Sequence, residues 1–491
     1  MNFETIIGLE VHAQLLTNSK MFCRCSADYA DALPNTHVCP VCLGMPGVLP
    51  TINQQAVRGT IATALALDCT IPEYTRFDRK NYPYPDLMKG YQISQSYAPF
   101  GHSGWLTIAV NGGKKKVGID NVHLEEDVAK LLHRVSPDGE SYSLVDVNRS
   151  GVPLMEIVGG PDLRSPEEAR QYLIQLRSLL QYLGVSTANM EEGSFRCDAN
   201  ISIRPESSAE TTAKVEVKNM NSFRAVYRAL EYEAKRQRKL AEEGKRLVQE
   251  TRGWVEEKGK TVAQRTKEYA HDYRYFPEPD LPPLAISREW AEEIRTELPE
   301  LPEARRDRFV AQYGLPLYDT NLLTSSRAMT DYFEDCLRTK EYHKLPQGKE
   351  AKEVSNWLLG EVSRIINAGN TDIDNFKGRV GPEQLCRLIA LNAEGAINTV
   401  VAKSVLEEMY KTGKGAEDII KERGLSQISD TGALDTEVAK VINTNAQAVA
   451  DYKAGKAQSL KFLVGQVMKA TRGRANPKLV NELLKKKLEE G

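Results

Sequence analysis

The sequence lacks any uncharged apolar run long enough to cross a bilayer, which argues against a helical membrane protein. Its N-terminus, MNFETIIGLEVHAQL, has neither the basic region nor the long apolar region of a secretory signal. Charge of one sign is not in excess either, because 65 lysines and arginines face 67 aspartates and glutamates. We therefore predict a cytoplasmic protein without membrane contact, in which any binding of nucleic acid depends on a local basic patch.

Cysteine is also scarce, since eight residues in a chain of 491 are too few for a disulfide scaffold. Four of them form two close pairs with the spacing C-x-C-x13-C-x2-C: Cys23, Cys25, Cys39 and Cys42. Four thiolates from such pairs can converge on a tetrahedral zinc ion, and a site closed by four protein ligands is usually structural. Buried thiols or a redox C-x-x-C are the alternatives, and the redox version is disfavoured because no βαβ pattern surrounds it.

The chain is too long for a single hydrophobic core, and its patterns divide it into three parts. Short alternating apolar and polar runs dominate the first part, with helical spacing after Ser165 and after Asn221. The proline-rich stretch YRYFPEPDLPPL (273–284) marks the end of this α+β part, and strand signals nearly vanish after it. A glycine-containing break at 413–415 divides the helical remainder. We predict domains at 1–290, 291–411 and 412–491.

Polar side chains recur two residues apart on the predicted strands, and a strand places both members of such a pair on one face. A polar face turned to water is the ordinary explanation for any single pair. Five pairs, two of which combine histidine with glutamate, fit better a cleft that collects carboxylates. The pairs are Glu10 with His12, His123 with Glu125, Asp146 with Asn148, Asp198 with Asn200, and Glu216 with Lys218.

An oxygen-rich site with an occasional imidazole suits Mg²⁺, which favours carboxylates and substrate phosphates and relieves the repulsion among the carboxylates. Phosphate charge needs cations as well, and four residues are candidates: Arg79, Lys80, Arg149 and Lys218. Ordinary surface ion pairing is the alternative for each of them. The pattern predicts Mg-assisted phosphoryl transfer without a phosphate-binding G-x-x-x-x-G-K-[ST] loop.

The C-terminal segment from Lys456 to Gly491 is basic, with nine lysines and arginines against three glutamates. Lys469, Arg472 and Arg474 surround a glycine-containing turn, which fits contacts to RNA phosphates. A solvated helical tail is equally consistent with the charge alone.

Five long segments in the first 290 residues resemble GatB, the B component of the tRNA-dependent aspartyl/glutamyl amidotransferases. They are FDRKNYPYPD (77–86), LVDVNRSGVPLMEI (144–157), MEEGSFRCDANIS (190–202), VKNMNSF (217–223) and DYRYFPEPD (272–280). The remainder resembles the helical and YqeY-like tail domains of that family. The resemblance implies that the first domain is a cradle, a large antiparallel sheet flanked by helices and related to the glutamine synthetase and guanido kinase catalytic fold.

The resemblance also implies an activity. In this family ATP converts the side-chain carboxylate of misacylated Glu-tRNA(Gln) or Asp-tRNA(Asn) into an acyl phosphate. Ammonia, which the A subunit releases from glutamine, then displaces phosphate to give the amide, and the C subunit clamps the other two together in a heterotrimer. The related archaeal-type protein GatE carries an inserted domain that this sequence lacks, which favours the heterotrimer.

Roles for individual residues follow from their match to the family segments. The resemblance implies Mg²⁺ ligands at Glu10, His12, Glu125 and Glu216, and an ATP-binding cleft at Asn148, Asp198 and Asn200. It implies reaction-site roles for Glu125, Glu191, Arg79, Lys80, Arg149 and Lys218. The basic turn with Lys469, Arg472 and Arg474 is expected to hold the outer body of the tRNA.

The cysteine group occurs in only some members of the family, so it cannot be required for the shared reaction. We therefore interpret it as a structural zinc site at the rim of the cradle. Two alternative functions remain open from the sequence: a non-catalytic, zinc-containing RNA-binding scaffold, and a phosphotransferase that acts without partner subunits.

Overall fold

The computed structural model describes residues 3–110, 113–206, 211–266, 273–425, 431–453, 458–471 and 477–490, together with 456 and 475. The chain divides into two compact units, the first ending at Leu301 and the second beginning at Pro302. The first unit combines a large sheet with helices, and the second is helical, so the α+β prediction is confirmed. No described helix is both long and apolar enough to cross a membrane.

The first unit contains the strands of the molecule that the structure describes. In chain order they are β1 (Phe3–Gln14), β2 (Tyr74–Thr75), β3 (Asp78–Asn81), β4 (Tyr91–Ser94), β5 (Gly101–Val110), β6 (Gly113–Glu126), β7 (Lys130–Val135), β8 (Ser141–Asp146), β9 (Pro153–Gly159), β10 (Phe195–Pro205), β11 (Val215–Lys218), β12 (Glu250–Val255), β13 (Lys260–Thr266), β14 (Phe276–Pro277) and β15 (Leu284–Ala285). Its helices are α1 (Gln54–Ala66), α2 (Pro166–Leu183), α3 (Phe223–Glu242) and α4 (Arg288–Glu297), with 3-10 turns at Val147–Arg149 and Glu256–Lys258.

Eight of these strands form one sheet in the order β13-β12-β11-β10-β1-β9-β6-β5. Six of the seven described strand pairs are antiparallel, and β11 and β12 are parallel. The parallel pair arises because α3 lies between these two strands in the chain and returns it to the same edge of the sheet, as a crossover connection does. The sheet that is predicted to be antiparallel is therefore mixed, with its one described parallel pair near this edge.

The predicted helix after Ser165 shows why the sequence folds as it does. The Ser165 side chain accepts a hydrogen bond from the amide of Glu168, Pro166 occupies the first turn, and Gly184 ends the helix with φ of 68°. Leu173 and Leu176 on its apolar side are fully buried in the core of the first unit. The helix therefore packs against the sheet, as its periodicity predicts.

Burial alternates along β1 and separates the two faces of the sheet. Leu9 and Val11 are buried in the core, together with apolar residues of α1, α2 and α3. Glu10 and His12 lie on the opposite face and are partly exposed. The helices therefore cover the apolar face and leave the other to polar side chains; we call it the polar face.

Smaller sheets border the large one. The strands β14, β3 and β4 form a three-stranded sheet, and β4 lies against the end of β6, where Ser94 contacts Glu125. The strands β7 and β8 form a separate hairpin, and β15 pairs with β2. Helix α4 belongs to this unit because Ile294 is part of its core, so the predicted boundary at 290/291 lies inside a helix.

The second unit contains thirteen described α-helices. They are α5 (Pro302–Tyr313), α6 (Leu317–Leu323), α7 (Arg327–Leu337), α8 (Glu350–Trp357), α9 (Ser363–Gly369), α10 (Ile373–Arg379), α11 (Pro382–Ala393), α12 (Thr399–Thr412), α13 (Ala416–Arg423), α14 (Thr431–Thr444), α15 (Ala446–Lys453), α16 (Gln458–Ala470) and α17 (Pro477–Glu490). A π-helical segment, Leu358–Val362, joins α8 to α9, and a 3-10 turn lies at Tyr342–Lys344. Two separate apolar clusters hold these helices, one from Phe309 to Ile420 and one from Leu434 to Leu488.

Gly104 of β5 gives a test of this packing. A Cβ atom at this position would lie 3.0 Å from the Cys69 amide nitrogen and closer still to the Leu67 carbonyl oxygen, which is backbone and cannot move aside. We expect Gly104→Ala to lower the free energy of unfolding by about 1–3 kcal/mol, because overpacking forces the backbone to shift. Chemical denaturation measures the change, and Gly113→Ala, whose nearest neighbour is 3.7 Å away, is the control.

Candidate functional site

Strand register brings most of the predicted site residues to the polar face. His12 lies opposite Glu156 of β9 and Arg196 of β10. On the other side of β9, Glu156 also lies opposite His123 of β6. Further along β10, Asp198 lies opposite Glu10. Side chains that are more than a hundred residues apart in the chain thus meet on four neighbouring strands.

Two histidines and two carboxylates form the centre of this face, and we call them the histidine–carboxylate group: His12, His123, Glu125 and Glu156. His12 Nε2 lies 3.3 Å from a Glu156 oxygen and 3.7 Å from a Glu125 oxygen. His123 Nε2 lies 3.0 Å from Glu156 and 4.0 Å from Glu125. Both carboxylates therefore face both imidazoles.

The electrostatics of this group are strongly coupled. Burial alone would lower the pKa of His12, but the carboxylates of Glu156 and Glu125 outweigh it and raise this pKa to about 9. Burial would raise the pKa of Glu156, but His12 and His123 hold it well below its usual range. A site that keeps Glu156 ionised while burying it favours positive charge beside that carboxylate.

The donor set fits a divalent cation. One ligand atom each from His12, Glu125 and Glu156 lies within 4.8 Å of the others, which is the spacing that a shared ion requires. Ser94 donates a hydrogen bond of 3.0 Å to Glu125 and so orients its carboxylate. His123 Nδ1 lies 2.8 Å from the Asn121 side-chain oxygen, a contact that orients the imidazole ring.

Lys80 reaches the same group from β3. Burial would lower its pKa, but the nearby carboxylates of Glu125 and Glu156 raise it. Its Nζ lies 5.0 Å from the centre of the Tyr273 ring, a cation–π contact. Within the described residues, the Lys80 ammonium group makes no hydrogen bond and no ion pair at contact distance. Its charge is therefore available to a bound anion.

A second set of charges continues along the polar face on β10 and β11. Lys218 Nζ lies 2.6 Å from Asp198 and 3.5 Å from Glu216. Asn200 donates a hydrogen bond of 2.8 Å to Glu10, which ties this set to β1. The predicted residues Glu10, Asp198, Asn200, Glu216 and Lys218 are thus gathered on one surface, beside the histidine–carboxylate group.

Two of the predicted arginines make structural contacts outside the histidine–carboxylate group. Arg79 forms two hydrogen bonds of 2.7 Å with Glu278, so it points away from its neighbour Lys80. Arg149 donates to the carbonyl oxygens of Val128 and Ala129, both at 2.9 Å.

Two further predicted residues also lie apart from the histidine–carboxylate group. Asn148 is fully buried, and it accepts from the His37 amide and donates to the Leu33 carbonyl. Glu191 lies in the exposed turn before β10, and its amide donates to Asn189. Roles in the reaction for Arg79, Arg149, Asn148 and Glu191 stay predictions.

Three residues of this site are not predicted from the sequence: Glu156, Asp127 and Arg196. Glu156 stands alone in the apolar run PLMEIV, so no polar alternation marks it, although a single carboxylate in such a run is itself a signal. Asp127 follows the end of β6 and is buried, where it accepts hydrogen bonds from Gln14 at 2.7 Å and from Arg196 at 2.9 Å. Arg196 precedes Asp198 by two residues and therefore shares its face.

Two family models match most of the chain. The family model described as "GatB/GatE catalytic domain" matches residues 5–292, and the one described as "GatB domain" matches residues 340–488. The chain belongs to the GatB family. Relatives named as the B component of aspartyl/glutamyl-tRNA(Asn/Gln) amidotransferase include one from Dehalococcoides mccartyi, 62% identical, and one from Moorella thermoacetica, 55% identical. The alignments cover 100% and 99% of this chain and 99% and 100% of the relatives.

The cysteine group of this GatB-family chain is assembled as its spacing predicts. One Sγ atom each from Cys23, Cys25, Cys39 and Cys42 lies within 4.8 Å of the others. The thiols are not disulfide-bonded, and the Sγ atoms of Cys39 and Cys42 are 3.9 Å apart.

The chemistry of these thiols fits a thiophilic cation. Burial raises the pKa of Cys25 to about 11, whereas a hydrogen bond from the Cys23 thiol lowers that of Cys42 to about 4. One thiolate is therefore favoured, but ionising all four at this spacing needs a positive ion among them.

Hydrogen bonds order the segment between the two cysteine pairs. The buried Lys20 donates from Nζ to the His37 carbonyl at 2.8 Å and to the Val147 carbonyl at 3.3 Å. Asn148 holds Leu33 and His37 from the other side. The predicted ATP-cleft residue Asn148 therefore fixes the cysteine segment in this GatB-family fold.

Of the three basic tail residues predicted to contact tRNA, the structure describes one. Lys469 is exposed near the end of α16. Arg472 and Arg474 lie outside the described residues.

The cysteine group yields a test by metal analysis. We expect Cys39→Ser to reduce zinc content and to lower the denaturation midpoint, because one of four ligands is lost and metal binding contributes to folding. Inductively coupled plasma mass spectrometry measures the zinc. The control is Cys69→Ala, which removes a buried thiol outside the group and should leave the zinc content unchanged. Loss of turnover with zinc and stability intact would contradict a structural role.

Proposed function

We propose that the polar face activates a carboxylate of misacylated tRNA with ATP, as part of a tRNA-dependent amidotransferase. The observation that carries this proposal is the convergence of His12, Glu125 and Glu156 within 4.8 Å, with the cationic Lys80 beside them. The relatives are named for action on Asp/Glu-tRNA(Asn/Gln), which sets the class of substrate. We take the side-chain carboxylate of Glu-tRNA(Gln) or Asp-tRNA(Asn) as the group that is activated.

The chemical need for ATP follows from the carboxylate itself. Ammonia cannot displace oxide from a carboxylate, because oxide is too basic to leave. Transfer of the γ-phosphoryl group forms a bond from the carboxylate oxygen to phosphorus and breaks the bond to ADP. Ammonia then attacks the carbonyl carbon, phosphate leaves with the electron pair, and the amide results. Charge neutralisation and positioning carry most of the catalysis in such a transfer.

Different residues of the polar face would bind the metal ion, the phosphates and the rest of ATP. His12, Glu125 and Glu156 would hold Mg²⁺, with Glu10 and Glu216 as further carboxylates along the face. When bound, the ion supplies Lewis-acid neutralisation of the phosphate oxygens. Lys80 offers a positive charge to the same phosphates. Lys218, Asp198 and Asn200 would line the adjacent part of the ATP cleft.

The remaining parts of the proposal concern assembly. As a GatB protein, this chain would work with an A subunit that supplies ammonia from glutamine and with a C subunit, in a cytoplasmic heterotrimer. The first domain would be the glutamine synthetase-like cradle, followed by a helical domain and a YqeY-like tail. The separate apolar clusters of the second unit support this last division. A zinc ion would be bound at the cysteine group.

The histidine–carboxylate group gives the main test. In a complex co-expressed with the A and C subunits, we expect Glu125→Gln and Glu156→Gln each to lower ADP formation that depends on misacylated tRNA by about 100-fold or more, since each removes a charge that binds the metal. Binding of tRNA should change little.

Glu4→Gln is the matched control, because Glu4 lies on the same face of β1 but pairs with Arg164 and Arg204. Full turnover in both test variants would contradict the proposal. Retained tRNA binding with no ADP formation by the unmodified complex would instead favour the scaffold alternative.

The basic tail gives a second test. We expect replacement of Arg472 and Arg474 by glutamine to weaken tRNA binding and to reduce the slope of log K against log salt by about one for each lost phosphate contact. Titration at several salt concentrations measures the slope. Glutamine replacement of Lys235 and Lys239, exposed on α3, is the charge-matched control. An unchanged slope would show that the two arginines are only solvated charge.

A further inference from the structure

Arg196 lies beside the histidine–carboxylate group, yet most of its N–H donors have no hydrogen-bond partner among the described residues. On β10 it lies directly opposite His12 of β1. The positive charge of Arg196 acts to lower the pKa of His12. The carboxylate of Glu125 acts to raise the pKa of Arg196. Arg196 therefore borders the predicted Mg²⁺ ligands on the side opposite Glu156.

The guanidinium makes one hydrogen bond in the described structure, from Nη2 to Asp127 at 2.9 Å. Its Nε is buried and has no hydrogen-bond partner among the described residues. A guanidinium carries five N–H donors, and an unsatisfied buried donor is unfavourable unless a ligand completes it. The side chain is 39% exposed, so part of it remains open to the cleft.

Two other arginines of the same unit each use two guanidinium nitrogens against a single carboxylate. Arg79 binds Glu278 through Nε and Nη2, both at 2.7 Å. Arg204, on the same strand and face as Arg196, binds Glu4 through the same two atoms. Arg196 instead binds Asp127 through one nitrogen, Nη2. Asp127 therefore holds the Arg196 guanidinium in place and leaves its other N–H donors for a ligand.

Asp127 is held rigidly enough to act as that anchor. Its side chain is buried and also accepts from Gln14 at 2.7 Å, and Arg149 Nε lies 3.7 Å from its other oxygen. Its backbone is fixed too, since its amide donates to Val152 and its carbonyl accepts from Gly151. Arg196 and Arg149 thus approach Asp127 from its two carboxylate oxygens.

We propose that Arg196 binds the phosphoryl group that is transferred from ATP to the carboxylate, and that Asp127 positions it. This inference rests on the proposed function, because it assigns a further residue to that reaction. The guanidinium fork matches two phosphate oxygens and neither gains nor loses a proton during the transfer. Lys80 and Arg196 then place positive charge on the phosphate from β3 and from β10.

The test uses the complex with A and C subunits and measures ADP formation that depends on misacylated tRNA. We expect Arg196→Ala to lower this rate by about 100- to 1,000-fold, the usual effect of removing one preorganised donor to a transition state. Arg196→Lys keeps the charge beside Asp127 but loses the fork, so it should fold and still be slow. Arg204→Lys is the matched control, eight residues further along β10 or roughly 26 Å away, and should retain the full rate.

Two further readouts separate phosphate binding from a structural role. Guanidinium added to Arg196→Ala should restore part of the rate, because it can occupy the vacated position. Asp127→Asn should slow the reaction alone but add little in the Arg196→Ala background, since it acts through that arginine. A full rate in Arg196→Lys together with no rescue of Arg196→Ala would overturn the inference and leave only a structural charge.

Failure of the proposed function has a different signature. In that case the unmodified complex itself would form no ADP in response to misacylated tRNA, whatever residue stands at 196. An unmodified complex that is active, with both Arg196 variants at full rate, would refute the role of Arg196 alone.

Discussion

The alternation of side chains along β1 is the constraint on which the rest of the first unit depends. Leu9 and Val11 bury against the helices, which forces Glu10 and His12 to the opposite face. A slip of one residue in its pairing would exchange the two faces, burying the carboxylate and imidazole in the core. The apolar core therefore fixes the register, and the register places the polar site. Residues without chemical function, such as Val11, hold the chemistry in position through this coupling.

Carboxylates gathered on one face repel one another. Histidine, lysine and arginine side chains from several strands offset this repulsion. His12 and His123 keep Glu156 ionised, and Lys80 faces Glu125 and Glu156 from another sheet. At the edge of the site, Arg149 and Arg196 both act on the buried carboxylate of Asp127 and lower its pKa against the effect of burial. The polar face thus places carboxylates and cations beside one another on neighbouring strands.

Local signals in the sequence predict local structure well, which is why they identify α2 and the polar pairs of β1, β6, β10 and β11. What they cannot supply is the direction of a side chain that depends on a distant partner. Arg79 and Lys80 are neighbours of similar charge, but Glu278, about 200 residues away, takes Arg79 and leaves Lys80 at the site. Glu156 escapes prediction because its strand is apolar on both sides, so period-two alternation does not reveal it.

The ion pair between Arg79 and Glu278 affects the site through the neighbouring residue Lys80. Phe276 of β14 lies opposite Arg79 of β3, so the ion pair reinforces the short strand pairing between them. Successive residues of a strand point to opposite sides, and an Arg79 fixed on one side therefore turns Lys80 to the other, toward Glu125 and Glu156. The proline-rich segment 273–284, which contains Glu278, thus influences the polar face by fixing the direction of side chains on β3. Arg79 serves the site by orienting its neighbour and does not itself reach the histidine–carboxylate group.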